Sequence, residues 1–210
     1  MTERAAITLM IVDDHPLMRI GMKAVIQGQE DMTIVGEAKD GHTAVQMYRT
    51  LHPDVVLMDL RLPGKTGIEA TAAIVSEFPH ARLLVISNYD GDEDISQAMA
   101  AGAAGYLFKS IMEDELLNAI REVHAGKRYL PRNVTVRLRE RTEPVRLTQR
   151  ENDILSMLGK GFSNKELANV LGVSTDTVKT HLKNLFRKLN VSDRAEAVRE
   201  AIYRGFLHLD

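Results

Sequence analysis

Along the first 125 residues, short apolar runs rich in branched side chains alternate with longer stretches whose apolar positions recur at helical spacing. Runs at 7–12, 33–36, 55–58, 83–86 and 105–108 predict five strands. The first helix is predicted to open near Pro16, a residue suited to an opening turn, and to carry Leu17, Ile20, Met22, Ala24, Val25 and Ile26 as its apolar positions. Further helices are predicted near 43–51, 68–77, 92–101 and 113–125. The sequence Val55-Val56-Leu57-Met58 is continuously apolar rather than alternating, as a strand covered on both faces should be. Strand and helix in strict alternation imply right-handed crossovers and a doubly wound parallel α/β sheet.

After residue 125 the pattern changes. Between 126 and 144 six Lys/Arg stand against two Glu, with Pro131 and Pro144 as breakers and only a short possible helix around 133–139, which reads as a linker. The last 66 residues carry helical periodicity alone. Thr148 to Glu151 and Ser163 to Glu166 match the S/T-x-x-E capping box, and Asp193 to Glu196 approximates it with Asp as the cap. Ser174 opens a longer helix to about Leu189, in which Val178, Leu182, Leu185 and Leu189 mark a buried face while Lys179, Lys183 and Arg187 mark another. The expected division is a first domain over 5–125, a linker over 126–144 and a second domain over 145–210.

Charge sharpens this division. Residues 145–210 hold 11 Lys/Arg and 8 Asp/Glu, leaving 16 and 21 for residues 1–144, so a formal net charge of -2 conceals a basic third and an acidic remainder. The C-terminal third is therefore the nucleic-acid candidate. No run approaches the ~18 apolar residues of a membrane span, and the N-terminus lacks the pattern of a signal peptide. A cytoplasmic location is expected. With no cysteine, disulfides and thiolate metal sites are excluded.

In a doubly wound sheet, ligands bind beyond the carboxyl ends of the strands where strand order reverses. Asp13 and Asp14 follow the first predicted strand, Asp59 closes the third, Ser87 the fourth and Lys109 follows the fifth. Each residue type is commonplace alone, but together they suit phosphoryl transfer to a carboxylate. Clustered acids repel and call for a hard divalent cation such as magnesium, Asp59 can act as nucleophile, and Lys109 can pair with it before transfer and with phosphoryl oxygens afterwards. Ser87 can donate a hydrogen bond to the phosphoryl group. None of the seven histidines shows metal-ligand spacing, and His15 reads as a helix-start residue.

These residues resemble the receiver family of two-component response regulators over about 7–125. The resemblance rests on Asp13-Asp14, on Asp59-Leu60-Arg61-Leu62-Pro63-Gly64 with Gly67, on Ser87, and on Gly105-Tyr106-Leu107-Phe108-Lys109. It implies a flavodoxin-like five-stranded fold with Asp59 as phosphoacceptor. It further implies that Asp14, Asp59 and the backbone carbonyl of Arg61 ligate Mg2+, with Asp13 assisting through water. Tyr106 is then the aromatic switch residue that turns inward when Ser87 engages the phosphoryl group. Two positions depart from the family's pattern. Thr66 stands where an acid or amide is common, and Ser110 where a proline often follows the lysine.

The segments 147–151, 161–168, 174–181 and 187–189 resemble the LuxR-type helix-turn-helix family, over about 144–208. The resemblance implies an all-α four-helix module whose Lys179, Thr180 and Lys183 face base edges, while Asn164, Lys165, Thr175, Thr177 and Arg187 touch phosphates. It makes the final helix, 194–203, the dimer contact. Together the two halves resemble the NarL/FixJ class, which implies a sensor histidine kinase as phosphodonor, double-stranded promoter DNA as target, a homodimer when phosphorylated, and RNA polymerase as a further partner. An aspartyl-phosphate hydrolase would need a second acid two residues after its nucleophile, and that position is Arg61. A regulator rather than an enzyme is expected.

Overall fold

The computed structural model describes residues 6–207 except 89–90, 132–133, 136–144 and 146. The chain divides into two compact units. The first is built on β1 (Ile7–Val12), β2 (Met32–Ala38), β3 (Val55–Asp59), β4 (Leu83–Ser87) and β5 (Gly105–Phe108). Between and after them run α1 (Pro16–Gln27), α2 (Gly41–Leu51), α3 (Gly67–Glu77), α4 (Asp92–Ala100) and α5 (Glu113–His124). All pairings are parallel and the strand order is β2-β1-β3-β4-β5. From β1 the chain crosses to β2 on one side and returns to β3 on the other, so the topological switch point lies between β1 and β3.

Both faces of the sheet are covered. On one, Leu9, Ile11, Leu57 and Leu107 pack with Met22 and Ile26 of α1 and Leu117, Ile120 and Val123 of α5. On the other, Met10, Val12, Val56 and Met58 pack with Ala44, Val45 and Tyr48 of α2 and Ala70 and Ile74 of α3. Of the six apolar positions expected along α1, only Met22 and Ile26 are buried, and Leu17 and Ile20 are 84% and 62% exposed. Six such residues on twelve positions exceed the one stripe a helix can turn toward a sheet. β2 runs longer than the expected 33–36 because an edge strand can extend through Glu37 with alternate residues in solvent.

The second unit comprises α6 (Gln149–Gly159), α7 (Asn164–Leu171), α8 (Thr175–Leu189) and α9 (Arg194–Arg204). Thr148 and Ser163 form complete capping boxes with Glu151 and Glu166. Asp193 caps α9 by accepting from the Glu196 backbone N–H, but the Glu196 side chain accepts from Ser192 rather than from the cap residue. Gly172 ends α7 in the left-handed region (φ 64°), which makes the tight turn into α8. Val178, Leu182, Leu185 and Leu189 of α8 close on Ile154, Leu155 and Leu158 of α6, Leu167 of α7 and Ala197 and Ala201 of α9.

The segment expected as a linker opens with Tyr129 alongside β5: its N–H donates to Ala104 and its carbonyl accepts from Tyr106. The helix expected around 133–139 lies outside the described residues apart from Val134 and Thr135, which are helical.

Glu151 ties the second unit together beyond its capping role. Its buried carboxylate also receives Lys188 Nζ at 2.6 Å from the last turn of α8. Burial pushes its pKa up, but the Lys188 and Thr148 hydrogen bonds outweigh this and hold it below the ordinary glutamate value. A depressed pKa gives stability that is complete above the unfolded-state value and is lost as pH falls through the folded one. Urea unfolding of the second unit should thus show a falling midpoint between pH 5 and pH 3. Glu151→Gln should cost about 1–2 kcal/mol at pH 7 and flatten that dependence; an unchanged midpoint at pH 7 would remove Glu151 from the account.

Candidate functional site

The strand ends at the switch point deliver the acid cluster. Asp13 and Asp14 follow β1, and Asp59 closes β3, the strand paired with β1. Asp13 and Asp59 are almost wholly buried, and Asp14 is 38% exposed at the mouth. Lys109 spans the buried pair, its ammonium 2.7 Å from Asp13 Oδ2 and 2.8 Å from Asp59 Oδ2. The pairing expected with Asp59 is therefore shared with Asp13. The Lys109 backbone N–H also donates to the Ser87 carbonyl, which fixes the β5 end against the β4 end.

Burial pushes the Asp59 carboxyl above the ordinary aspartate value, and the Lys109 hydrogen bond and charge only partly offset it. Burial also works against the Lys109 ammonium, but its hydrogen bonds to Asp13 and Asp59 outweigh this and raise its pKa. The outcome is a charged lysine held against a carboxylate that gains from a cationic partner. Oxygen donors of Asp13, Asp14 and Asp59, with a ring nitrogen of His15, all lie within 4.8 Å of one another. Carboxylate oxygens at this spacing, open to solvent on the Asp14 side, fit a hard divalent cation that keeps several waters.

Ser87 and Tyr106 are both fully buried, and the Tyr106 ring meets Phe108 edge-on at 5.9 Å. Arg61 follows Asp59 in the β3–α3 loop, and its backbone N–H is hydrogen-bonded to the Asp59 carboxyl. That loop turns back sharply, with the Gly67 N–H donating to the Leu60 carbonyl. A Cβ on Gly67 would collide with the Asp59 backbone oxygen, so the loop below the acid cluster needs glycine there.

Thr66 caps α3 in a reciprocal box with Glu69, which accounts for a threonine at that position. Lys109 and Ser110 are joined by a trans bond, as no cis peptide occurs among the described residues.

His15 went unrecognised as a site residue in the sequence. It does stand at the N-cap position of α1, as a helix-start residue should, but its side chain makes no capping hydrogen bond; its ring lies against the acids instead, with Nδ1 2.7 Å from Asp14 Oδ1 and 3.4 Å from Asp13 Oδ1. Its place directly after the acid pair was the available signal.

In the second unit α7, the Gly172 turn and α8 form the helix-turn-helix. Lys179, Thr180, Lys183 and Arg187 are exposed on α8, opposite the face buried in the core. Lys179 pairs with Asp176 at 2.9 Å, Thr180 bonds the Asp176 carbonyl, and Arg187 contacts Asn184 at 3.3 Å. Lys183 has no ion-pair or hydrogen-bond partner among the described residues. Thr175 and Thr177 stand exposed in the first turn of α8, whereas Asn164 is half-buried and Lys165 exposed at the start of α7. A groove beside the basic stripe is lined by Lys179, Lys183, Phe186, Arg187 and also Ser192, a loop residue that helical periodicity does not single out.

A strand-end acid cluster gripped by a lysine on a doubly wound sheet defines a signal receiver, and the four-helix unit after it is a helix-turn-helix module. Residues 9–121 match the response regulator receiver domain, and residues 145–201 match the bacterial regulatory proteins of the luxR family. The transcriptional regulatory protein MctR of Rhizobium johnstonii is 38% identical over 99% of this chain and 98% of its own length. The response regulator protein VraR of Staphylococcus epidermidis is 34% identical over 92% and 95%. Among solved structures, the response regulator ChrA of a heme-sensing two-component system is similar with a TM-score of 0.58 at 35% identity, covering 97% of this chain and all of that one. The chain belongs to the two-component response regulators that carry a LuxR-type DNA-binding domain. No helix among the described residues is long and apolar enough to cross a membrane.

Proposed function

We propose that Asp59 accepts a phosphoryl group from a sensor histidine kinase, and that this modification controls dimerisation and promoter binding by the second domain. The observation that carries the reading is the position of Lys109 Nζ, within 2.8 Å of both Asp13 and Asp59 at the switch point. Asp59 attacks phosphorus through a carboxylate oxygen; the new O–P bond replaces the P–N bond of the donor phosphohistidine, whose nitrogen keeps the electron pair and takes up a proton. Lys109 then exchanges its hold on Asp59 for phosphoryl oxygens. Asp14, Asp59 and the Arg61 carbonyl would ligate magnesium, with Asp13 acting through water, and the bound ion would neutralise charge on the incoming group. Ser87 would donate to the phosphoryl group, and Tyr106, whose ring is already buried, would be the aromatic switch held in its inward position by that engagement.

The proposed domains are 5–125 and 145–210, joined by 126–144. In the second, Lys179, Thr180 and Lys183 would read base edges from the major groove, with Asn164, Lys165, Thr175, Thr177 and Arg187 on phosphates. The α9 helix, where Ile202 and Tyr203 are exposed, would supply the dimer contact, giving half-sites about one helical turn apart. RNA polymerase would be met at the promoter. A dimer matters because each neutralised phosphate adds a salt-dependent increment of slope about -0.9, and one weakly basic module offers few.

Treatment with phosphoramidate, whose P–N bond resembles the proposed donor's, tests the acceptor. Borohydride should then convert one aspartate to homoserine, and peptide mapping should find it at position 59. Homoserine at another position, or none under conditions that phosphorylate a control receiver, would overturn the assignment.

A further inference from the structure

The loop that carries the acid pair is held by its backbone as well as by its side chains. The Asp13 N–H donates to the carbonyl of Ala38, the last residue of β2, and the Asp13 carbonyl accepts from Arg19 Nη1 at 2.7 Å, in the first turn of α1. Arg19 Nε lies 3.9 Å from Glu37 Oε2 on β2, and the other oxygen of that carboxylate pairs with Lys23, one turn further along α1. An acid on the neighbouring strand thus stations the guanidinium, whose side chain is only 22% exposed.

The contact falls on the peptide group that joins the two acids. A peptide unit is planar, so the Asp13 carbonyl and the Asp14 N–H turn together. Holding the oxygen restrains the torsions on either side of that plane, and with them the direction in which the Asp14 side chain leaves the backbone. Asp14 depends on such a hold more than Asp13 does. The Asp13 carboxylate is buried and engaged by Lys109 and by the His15 backbone N–H, whereas Asp14 is part-exposed and meets the still more exposed ring of His15.

We infer that Arg19 is a positioning residue for the cation site: through the Asp13 carbonyl it sets the peptide between the two acids, so that their oxygens converge with those of Asp59 within 4.8 Å. This rests on the phosphoacceptor site proposed above. The guanidinium acts on that site in two opposed ways. As a cation it repels a divalent ion, so its charge alone weakens binding. As a donor to the loop it holds the ligand oxygens ready, which strengthens binding. The inference therefore fixes a sign: removing the guanidinium weakens the site even though the surroundings become more negative.

The test is calorimetric titration of the full chain with Mg2+, beside phosphoramidate phosphorylation at graded Mg2+. Arg19→Met, which keeps an apolar stem and loses the donor, should weaken Mg2+ binding about tenfold and slow phosphorylation at limiting Mg2+, while the rate at saturating Mg2+ stays within about twofold of the wild type. Arg19→Lys should lie between the two, and it carries the test alone if the methionine variant does not fold; wild-type affinity there would then overturn the inference. Glu37→Gln, which leaves the bond from Arg19 to Asp13 in place, should bind Mg2+ within about twofold of the wild type. Unchanged or tighter Mg2+ binding by Arg19→Met, or an equal loss in Glu37→Gln, would overturn the inference and leave the carboxylate site standing. A wild-type chain that binds no Mg2+ would overturn the inference together with the metal site on which it rests.

Discussion

Asp59→Asn is expected to abolish phosphorylation while leaving the protein at least as stable as the wild type. The amide retains the shape of the side chain but has no anionic oxygen with which to attack phosphorus, so incorporation should fall to background. Stability should move the other way. Because burial raises the folded-state pKa of Asp59, its ionised form is less favourable in the folded protein than in the unfolded one. The raised pKa gives stability below the unfolded value that is lost as pH rises through the folded value, so the ionised group is a net cost at neutral pH. A neutral amide removes that cost, and Lys109 keeps Asp13 as its partner at 2.7 Å. Phosphoryl incorporation and urea midpoints measured side by side separate the two effects. Retained incorporation would place the acceptor elsewhere, and a large loss of stability would show that Asp59 is needed for folding.

Lys183→Ala should produce the second large effect, on DNA recognition. Lys183 projects from the exposed face of α8, one turn beyond Lys179, and no acid among the described residues competes for it. A lysine placed against a base edge is worth about 1–3 kcal/mol, a loss of roughly 5- to 150-fold in affinity for the selected operator, with little change on unrelated DNA. Arg187→Ala, on a proposed phosphate contact, should instead weaken all sequences alike and reduce the salt slope by about one. Mobility-shift titrations on an operator recovered by binding-site selection distinguish the two patterns. Equal losses on operator and unrelated DNA for Lys183→Ala would move that residue from the bases to the backbone.

Much of this architecture is legible in the sequence because the signals are local. Continuous runs such as Val55 to Met58 mark strands covered on both faces, and the Thr148 and Ser163 boxes mark helix starts within one turn. The convergence of Asp13, Asp14, Asp59 and Lys109 is also legible, since parallel strands in a doubly wound sheet bring their carboxyl ends to one edge. What escapes the sequence depends on orientation across space. Nothing local says that Leu17 and Ile20 face away from the sheet, because α1 carries more apolar residues than one stripe holds. Nor does any periodicity announce that Lys109 divides its charge between two acids, that Lys188 reaches back to Glu151, or that the exposed His15 ring lies against the acid pair. Thr66 shows the converse case. It departs from the receiver pattern, yet its box with Glu69 was readable from the T-x-x-E spacing alone.

The most direct test of the account is the affinity of the wild-type chain for its selected operator before and after phosphorylation, with Asp59→Asn as the control. The account predicts that phosphorylation tightens binding and lengthens the protected region to two half-sites, and that the control shows neither change. Equal affinity and an identical footprint for the phosphorylated and unphosphorylated wild type would contradict it.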